Sequence, residues 1–325
     1  MGTTAYAFGT SGNAQLAAVG MGAGIRTPFG VVLPPSCKVV YVRSLGAQDQ
    51  DPYDETGRLV PTLAQALAQC RSGLADTVVC LPGHVENVVD ATMLANLVAG
   101  TKIIGVGQGS NTPTFTFTAT AGQWVLNKND VMVCGLQFNL AGINAVAKAF
   151  AVTGNDVTFC GCDFAVTTAS NAPTVAIEVG TGAVGGARFG FYGNRMRGVA
   201  AGVAGDGILI SGTGANIEIT DNNMAFPATS ASGLVRVATA ALDLLIARNL
   251  MSNIAAASIA AISFGASASS GMVADNAIRV QSTGAQTLGT TGITTGATTI
   301  CGFYRNAITN DPRTTGLLAN PAVDA

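Results

Sequence analysis

Few side chains in this sequence are equipped for chemistry, and their spacing limits what they could do. Cysteine stands at seven positions: Cys37, Cys70, Cys80, Cys134, Cys160, Cys162 and Cys301. The number is odd, and no two have the CxxC spacing of a zinc or redox site. Cys160 and Cys162 stand two apart, a spacing that splays ligands unless a tight turn folds them together. All seven are therefore expected to be reduced thiols that fill space. The single histidine, His84, sits in Pro82-Gly83-His84-Val85-Glu86 and reads as structural. Asp49, Asp51, Asp54 and Glu55 offer the oxygen ligands that calcium takes, but lack EF-hand spacing, so 48–55 reads as a solvated loop. Asp163 and Arg195 are expected to form a surface ion pair. No residue set predicts a bound metal, and none predicts a cofactor.

The elements that must position these groups come from a repeat. Seven segments align on Leu136, Cys162, Asn194, Asn222, Asn249, Asn276 and Asn306, at spacings of 26, 32, 28, 27, 27 and 30 residues. Three residues before the anchor stand Val133, Phe159, Phe191, Ile219, Ile246, Val273 and Phe303. Two residues after it stand Phe138, Phe164, Met196, Met224, Met251, Ile278 and Ile308. Alternation with period two means strand, and a period of 20–50 residues means a solenoid. The expected fold is all-β: a single-stranded right-handed parallel β-helix. The anchor should lie at a corner, because asparagine tolerates left-handed backbone and its amide can bond the same group one coil away. Asn194, Asn222, Asn249, Asn276 and Asn306 are thus expected to form a ladder. Before them, Asp221, Arg248, Asp275 and Arg305 alternate in charge. Strict alternation would aim these inward, so the corner must already have turned them to water.

The same register says what faces out. Four before the anchor are Met132, Thr158, Gly190, Glu218, Leu245, Met272 and Gly302; two before are Cys134, Cys160, Tyr192, Thr220, Ala247, Ala274 and Tyr304. Glycoside hydrolysis uses two carboxylates, and these fourteen positions hold one. The chain is therefore expected not to be an enzyme. Met132, Cys134, Thr158, Cys160, Tyr192, Leu245, Met272 and Tyr304 form instead a candidate interface face.

Both ends differ from the repeat. Residues 1–36 are rich in Gly, Ala and Thr and read as an extended arm; 311–325 reads as a tail. Within 37–75 come the strand Lys38-Val39-Val40-Tyr41-Val42, the acidic loop, and 61–70, where Leu63, Ala66, Leu67 and Cys70 share one helical face behind Pro61. This helix is expected to cap an open stack that fills 76–310. Asp76-Thr77-Val78-Val79-Cys80-Leu81-Pro82-Gly83 and Lys102-Ile103-Ile104-Gly105-Val106-Gly107 follow. In these strings the chain resembles the pectin-lyase-like superfamily of right-handed parallel β-helices, over about residues 38–310. Residues 97–116 are further similar to β-helix structural proteins of tailed bacteriophages and prophages. That resemblance implies a virion component; by itself a shared fold does not imply activity.

Composition points the same way. Of 325 residues 48% are hydrophobic and only 10% charged, with a net charge of −2, so no basic stripe suggests nucleic acid. Apolar runs are too short for a spanning helix, and the amino end lacks the basic and apolar regions of a signal peptide. A chain with so little charge needs a partner to cover its apolar surface. The expectation is a capsid decoration or cement protein, made in the host cytoplasm and sited on the virion surface. It would bind the major capsid protein or another virion protein as a homo-oligomer, a trimer being favoured. The alternative is a tailspike-like protein that binds or depolymerises glycans; aromatics, only 6% of residues, are few for a sugar groove.

Overall fold

Apolar residues at every second position make each strand present one face inward. In Val131–Cys134, Val131 and Val133 are buried while Met132 is half-exposed. The computed structural model describes residues 25–26, 32–33, 37–44, 59–140, 147–166, 173–182, 185–198, 205–228, 233–254, 260–265, 268–281, 292–295 and 299–311. Its strands stack into three parallel sheets of eleven, nine and seven strands, the first, second and third sheets below. Seven successive coils each contribute one strand to each sheet in turn, as in 131–134, 137–139 and 148–152. The chain is a parallel β-solenoid, as its repeat predicts.

Register follows the aligned columns. In the first sheet Val133, Phe159, Phe191, Ile219, Ile246, Val273 and Phe303 are successive Cα partners. In the second, Phe138, Phe164, Met196, Met224, Met251, Ile278 and Ile308 are. The third sheet holds Val175–Gly182, Asp206–Gly212 and Ile262–Phe264. Val39–Val42 pairs with Thr77–Cys80, so the first sheet runs through the expected boundary at 75.

The core is a column of rings in the lower coils. Phe115, Trp124, Phe138, Phe150, Phe159, Phe164, Phe189 and Phe191 are fully buried, with neighbouring centroids such as Phe138–Phe150 4.8 Å apart. Ile219, Ile246 and Val273 continue it upward. Edge-to-face contacts of this kind add roughly 0.5–1.5 kcal/mol each to the burial itself. Trp124 Nε1 is buried among them without a hydrogen-bond partner.

A helix spans Leu63–Leu67, shorter than the expected 61–70. Thr62 Oγ1 accepts from the Gln65 N–H at 3.4 Å, and Glu86 Oε2 accepts from the Leu63 N–H at 2.9 Å. Leu63, Ala66 and Leu67 are its buried face, packed on Val39–Val42, Leu59–Val60 and Thr77–Cys80. No helix of the described residues is long and apolar enough to cross a membrane. The acidic loop 48–55 and the tail beyond Asp311 lie outside the described residues. Of the arm 1–36, only Ile25–Arg26 and Val32–Leu33 are described, as an antiparallel pair.

Candidate functional site

The corner between the first and second sheets carries two parallel ladders. Its first residue is left-handed on each of the seven aligned coils: φ is +66° at Gly135, +59° at Gly161 and Gly193, +61° at Asp221, +55° at Arg248, +56° at Asp275 and +47° at Arg305. The sequence reading gave the asparagine this conformation; the structure gives it to the residue before. That one turn swings Asp221, Arg248, Asp275 and Arg305 into solvent. Arg248 Nη2 then lies 2.7 Å from Asp221 Oδ2, and Arg305 Nε 2.7 Å from Asp275 Oδ1.

The asparagines, freed from the turn, point inward and are buried. Each donates to the next coil: the Asn194 N–H to Asn222 Oδ1 at 2.8 Å, Asn222 to Asn249 at 3.0 Å, Asn249 to Asn276 at 3.0 Å, and Asn276 to Asn306 at 3.1 Å. The Nδ2 of Asn194, Asn222, Asn249 and Asn276 also donates forward to the same oxygen and backward to a strand carbonyl. Asn249 Nδ2, for example, reaches Asn276 Oδ1 at 2.9 Å and Ile219 O at 2.8 Å. Cys162 joins the bottom of the ladder, its N–H donating to Asn194 Oδ1 at 2.9 Å.

Other charges also bridge coils. Arg188 Nη2 meets Asp156 Oδ2 at 2.6 Å, and Arg236 Nη1 meets Asp206 Oδ2 at 3.5 Å. On the third sheet Lys148 pairs with Glu178, which accepts from Ser211 Oγ at 2.9 Å. Ser211 Oγ also lies 2.8 Å from Gly180 O, so its single proton has two acceptors. Asp163 pairs with Arg197, Nε to Oδ1 at 3.0 Å, and not with Arg195 as expected. Arg195 is the residue in register with Asp163, but Arg197, on the same outward face, reaches back to it.

Asp76 is fully buried beneath the helix. Its Oδ1 accepts from the Lys38 N–H at 2.6 Å and Arg71 Nη2 at 2.8 Å; Oδ2 accepts from the Arg71 N–H at 2.8 Å. Burial would raise its pKa, but these bonds outweigh it and hold the carboxyl below the ordinary aspartate value. His84 is fully buried too. Its Nδ1 accepts from the Ser44 N–H at 2.9 Å, which leaves the proton on Nε2, 3.2 Å from Glu86 Oε2. That bond fixes Glu86 at the helix start, a structural role.

On the outer face of the first sheet the eight expected interface residues divide. Met272 and Tyr304 are 40% and 58% exposed; Met132, Thr158, Cys160, Tyr192 and Leu245 are half-buried. Cys134 is fully buried and forms a disulfide with Cys160, its in-register neighbour, across a Cα separation of 4.7 Å. This corrects two expectations: Cys134 is not open surface, and these two cysteines are not free thiols. Cys80 and Cys162 are buried thiols whose pKa burial raises, Cys162 to about 12. Tyr192 and Tyr304 fold back over Gly190 and Gly302 on their own strands; a methyl at either glycine would run into the ring. The Tyr192 hydroxyl donates to Glu218 Oε2 at 2.8 Å. Burial and this carboxylate push its pKa up to about 12.

Sequence reasoning missed Ile300, 74% exposed, and Leu242 and Leu250, 54% and 53% exposed. Ile300 lies six before its anchor, so one more step of the alternation would have found it. Among the described residues no group of three or more His, Cys, Asp or Glu side chains could hold a metal ion.

No protein-family model matches this chain, and no curated protein does. Among solved structures it is similar to PfbA, a surface adhesin of Streptococcus pneumoniae, at 13% identity and a TM-score of 0.21, over 81% of this chain and 90% of that one.

Proposed function

We propose that this protein is a non-enzymatic structural component of a tailed-phage virion: a capsid decoration or cement protein that binds the major capsid protein as a homo-oligomer, with a trimer favoured. One observation carries the reading. Several of the few charges are taken up in pairs that tie coil to coil, as in Asp221–Arg248, Asp275–Arg305 and Asp156–Arg188. What remains outward on the upper first sheet is Leu245, Met272, Ile300 and Tyr304, an apolar stripe of the kind that protein interfaces cover. The same reading takes the coil as right-handed, the hand parallel crossovers adopt. It takes the helix Leu63–Leu67 as the amino-terminal cap and the fold as pectin-lyase-like. The test is co-sedimentation of purified protein with capsids that lack it. Binding at a fixed ratio to the shell protein is expected; a monomer that leaves capsids bare would overturn the proposal.

A second reading, glycan binding or depolymerisation in the manner of a tailspike, draws on Tyr192 and Tyr304. Their rings lie against the sheet over glycines, as flat surfaces on which a sugar ring could stack. Release of reducing ends or unsaturated sugars from a capsular polysaccharide would favour it over the first.

A further inference from the structure

The column of the asparagine ladder continues downward to a different residue. Glu86 is in register with Phe115, and Phe115 with Phe138. His84, two residues before Glu86, therefore stands in the column that Asn194, Asn222, Asn249, Asn276 and Asn306 fill higher up. Its backbone agrees. Gly83, just before it, is left-handed at φ +77°. The Thr114 N–H donates to His84 O at 2.8 Å, as the Asn223 N–H donates to Asn194 O at 2.9 Å. The side chain also repeats the ladder's bond. Asn249 Oδ1 accepts a main-chain N–H from the coil before it, that of Asn222; His84 Nδ1 does the same for Ser44, at 2.9 Å. Ser44 Oγ in turn accepts from the Val85 N–H at 3.0 Å. These two bonds tie the residues that follow Val39–Val42 to the coil above.

One property separates the histidine from the asparagines. A carboxamide oxygen accepts at any ordinary pH. A neutral imidazole has one acceptor, which becomes a donor on protonation, and histidine is the side chain that makes this change between about pH 5 and 8. The added proton goes to Nδ1, because Nε2 already donates to Glu86 Oε2, 3.2 Å away. There it meets the Ser44 N–H, donor against donor. The ring is fully buried, so the new N–H has no solvent to turn to. The surrounding groups leave that conflict in place. Glu86 faces Nε2 and favours the imidazolium, and its Oε2 also accepts from the Leu63 N–H at 2.9 Å. From the first sheet comes Cys80, a thiol whose pKa is raised by burial and by Glu86. From the coil above comes the Phe115 ring, edge-on at 5.4 Å. Arg43, exposed, precedes Ser44, and the helix Leu63–Leu67 carries no titratable side chain. Charge is thus accommodated at Nε2, and the bond that is lost is the one at Nδ1.

We propose that His84 is a proton-operated latch at the amino-terminal end of the solenoid. Neutral, it holds Ser44 as the asparagines hold the coils above. Protonated, it releases Ser44 and keeps Glu86, and with it the start of the helix. Mild acid therefore loosens the link after Val39–Val42 and leaves the stack above intact, whatever the outer face binds.

Amide hydrogen exchange on the full chain tests this, with rates expressed as protection factors to remove the intrinsic effect of pH. Between about pH 7.5 and pH 5 the protection of the Ser44 amide should fall roughly tenfold or more, while those of Leu63 and Asn222 hold. His84 is the only histidine, so its ring gives a single imidazole NMR signal, and that signal should titrate with the same midpoint. His84→Asn puts the ladder's own acceptor in the column and should keep Ser44 protected at both pH values. Equal protection of Ser44 across the range would overturn the proposal, as would a midpoint different from that of the imidazole. So would a fall that persists in His84→Asn, or one that Asn222 shares, which would mean that the whole stack opens. If His84→Asn does not fold, the comparison of midpoints in the parent protein decides.

Discussion

Asn249→Ala removes one rung from the middle of the asparagine ladder, and the structure sets the size of the effect. Asn249 Oδ1 accepts from the Asn222 N–H at 3.0 Å and from Asn222 Nδ2 at 2.9 Å. Its Nδ2 donates to Ile219 O and Asn276 Oδ1. Asn222 Nδ2 keeps Phe191 O, and Asn276 Oδ1 keeps the Asn249 N–H, as second partners. The Asn222 N–H, fully buried, keeps none. One orphaned buried donor costs about 1–3 kcal/mol, and each of the other lost bonds about 0.5–1.5 kcal/mol. Some relaxation is expected, so the net loss should be about 3–5 kcal/mol. The assay is urea denaturation followed by far-UV circular dichroism, with the midpoint compared at constant slope. Asn306→Ala is the control. It lies on the last coil, and because solenoid stability is a sum of nearest-neighbour terms, it should loosen that coil while the main transition moves by less than about 1 kcal/mol. An Asn249→Ala protein within about 1 kcal/mol of the parent would refute the claim that the ladder holds the coils in register.

Four further outcomes follow from the same contacts. Non-reducing peptide mapping should recover Cys134 linked to Cys160, and reduction should cost at most about 3.5 kcal/mol, the loop-entropy value for 26 residues. Arg248→Gly should be close to neutral. The left-handed turn costs a non-glycine residue roughly 1–2 kcal/mol, which offsets the small contribution of a solvent-screened ion pair; Arg248→Val, which loses the pair and keeps the strain, should destabilise measurably. Asp76, Asp156 and Asp221 have carboxyls held below their ordinary pKa. The stability they contribute is present above the unfolded-state value of about 4 and is lost as pH falls through their lower folded values. A melting series from pH 6 to 2 should show that fall, and Asp76→Asn should flatten it. Met272→Asp and Tyr304→Asp should leave the melting temperature nearly unchanged while abolishing assembly on particles, read by co-sedimentation.

How much was legible in the sequence can be judged from particular residues. Three columns in register, such as Phe191–Ile219–Ile246, were enough to place the first and second sheets, because the side-chain period of a strand is two and its coil partner lies one repeat away. The corner was read one residue out of phase. Asparagine tolerates left-handed backbone and so points to Asn194 and its successors, yet the structure puts that conformation at Asp221, which tolerates it as well, and at Arg248 despite its longer side chain. The disulfide was within reach: Cys134 and Cys160 occupy the same outward column one coil apart, and in-register parallel neighbours bring side chains together. Linear spacing hides the pair, 26 residues apart, and coil spacing reveals it. The Asp163–Arg197 pair was not legible, since a long arginine selects among neighbours by rotamer and register alone does not set that choice.

The reading as a cement protein is tested most directly by the copy number of this chain in intact particles. Quantitative mass spectrometry of purified virions should find it in a fixed stoichiometric ratio to the shell protein, and particles assembled with Met272→Asp should lack it. Its absence from particles, or its presence at the few copies expected of a tail fibre, would contradict the account.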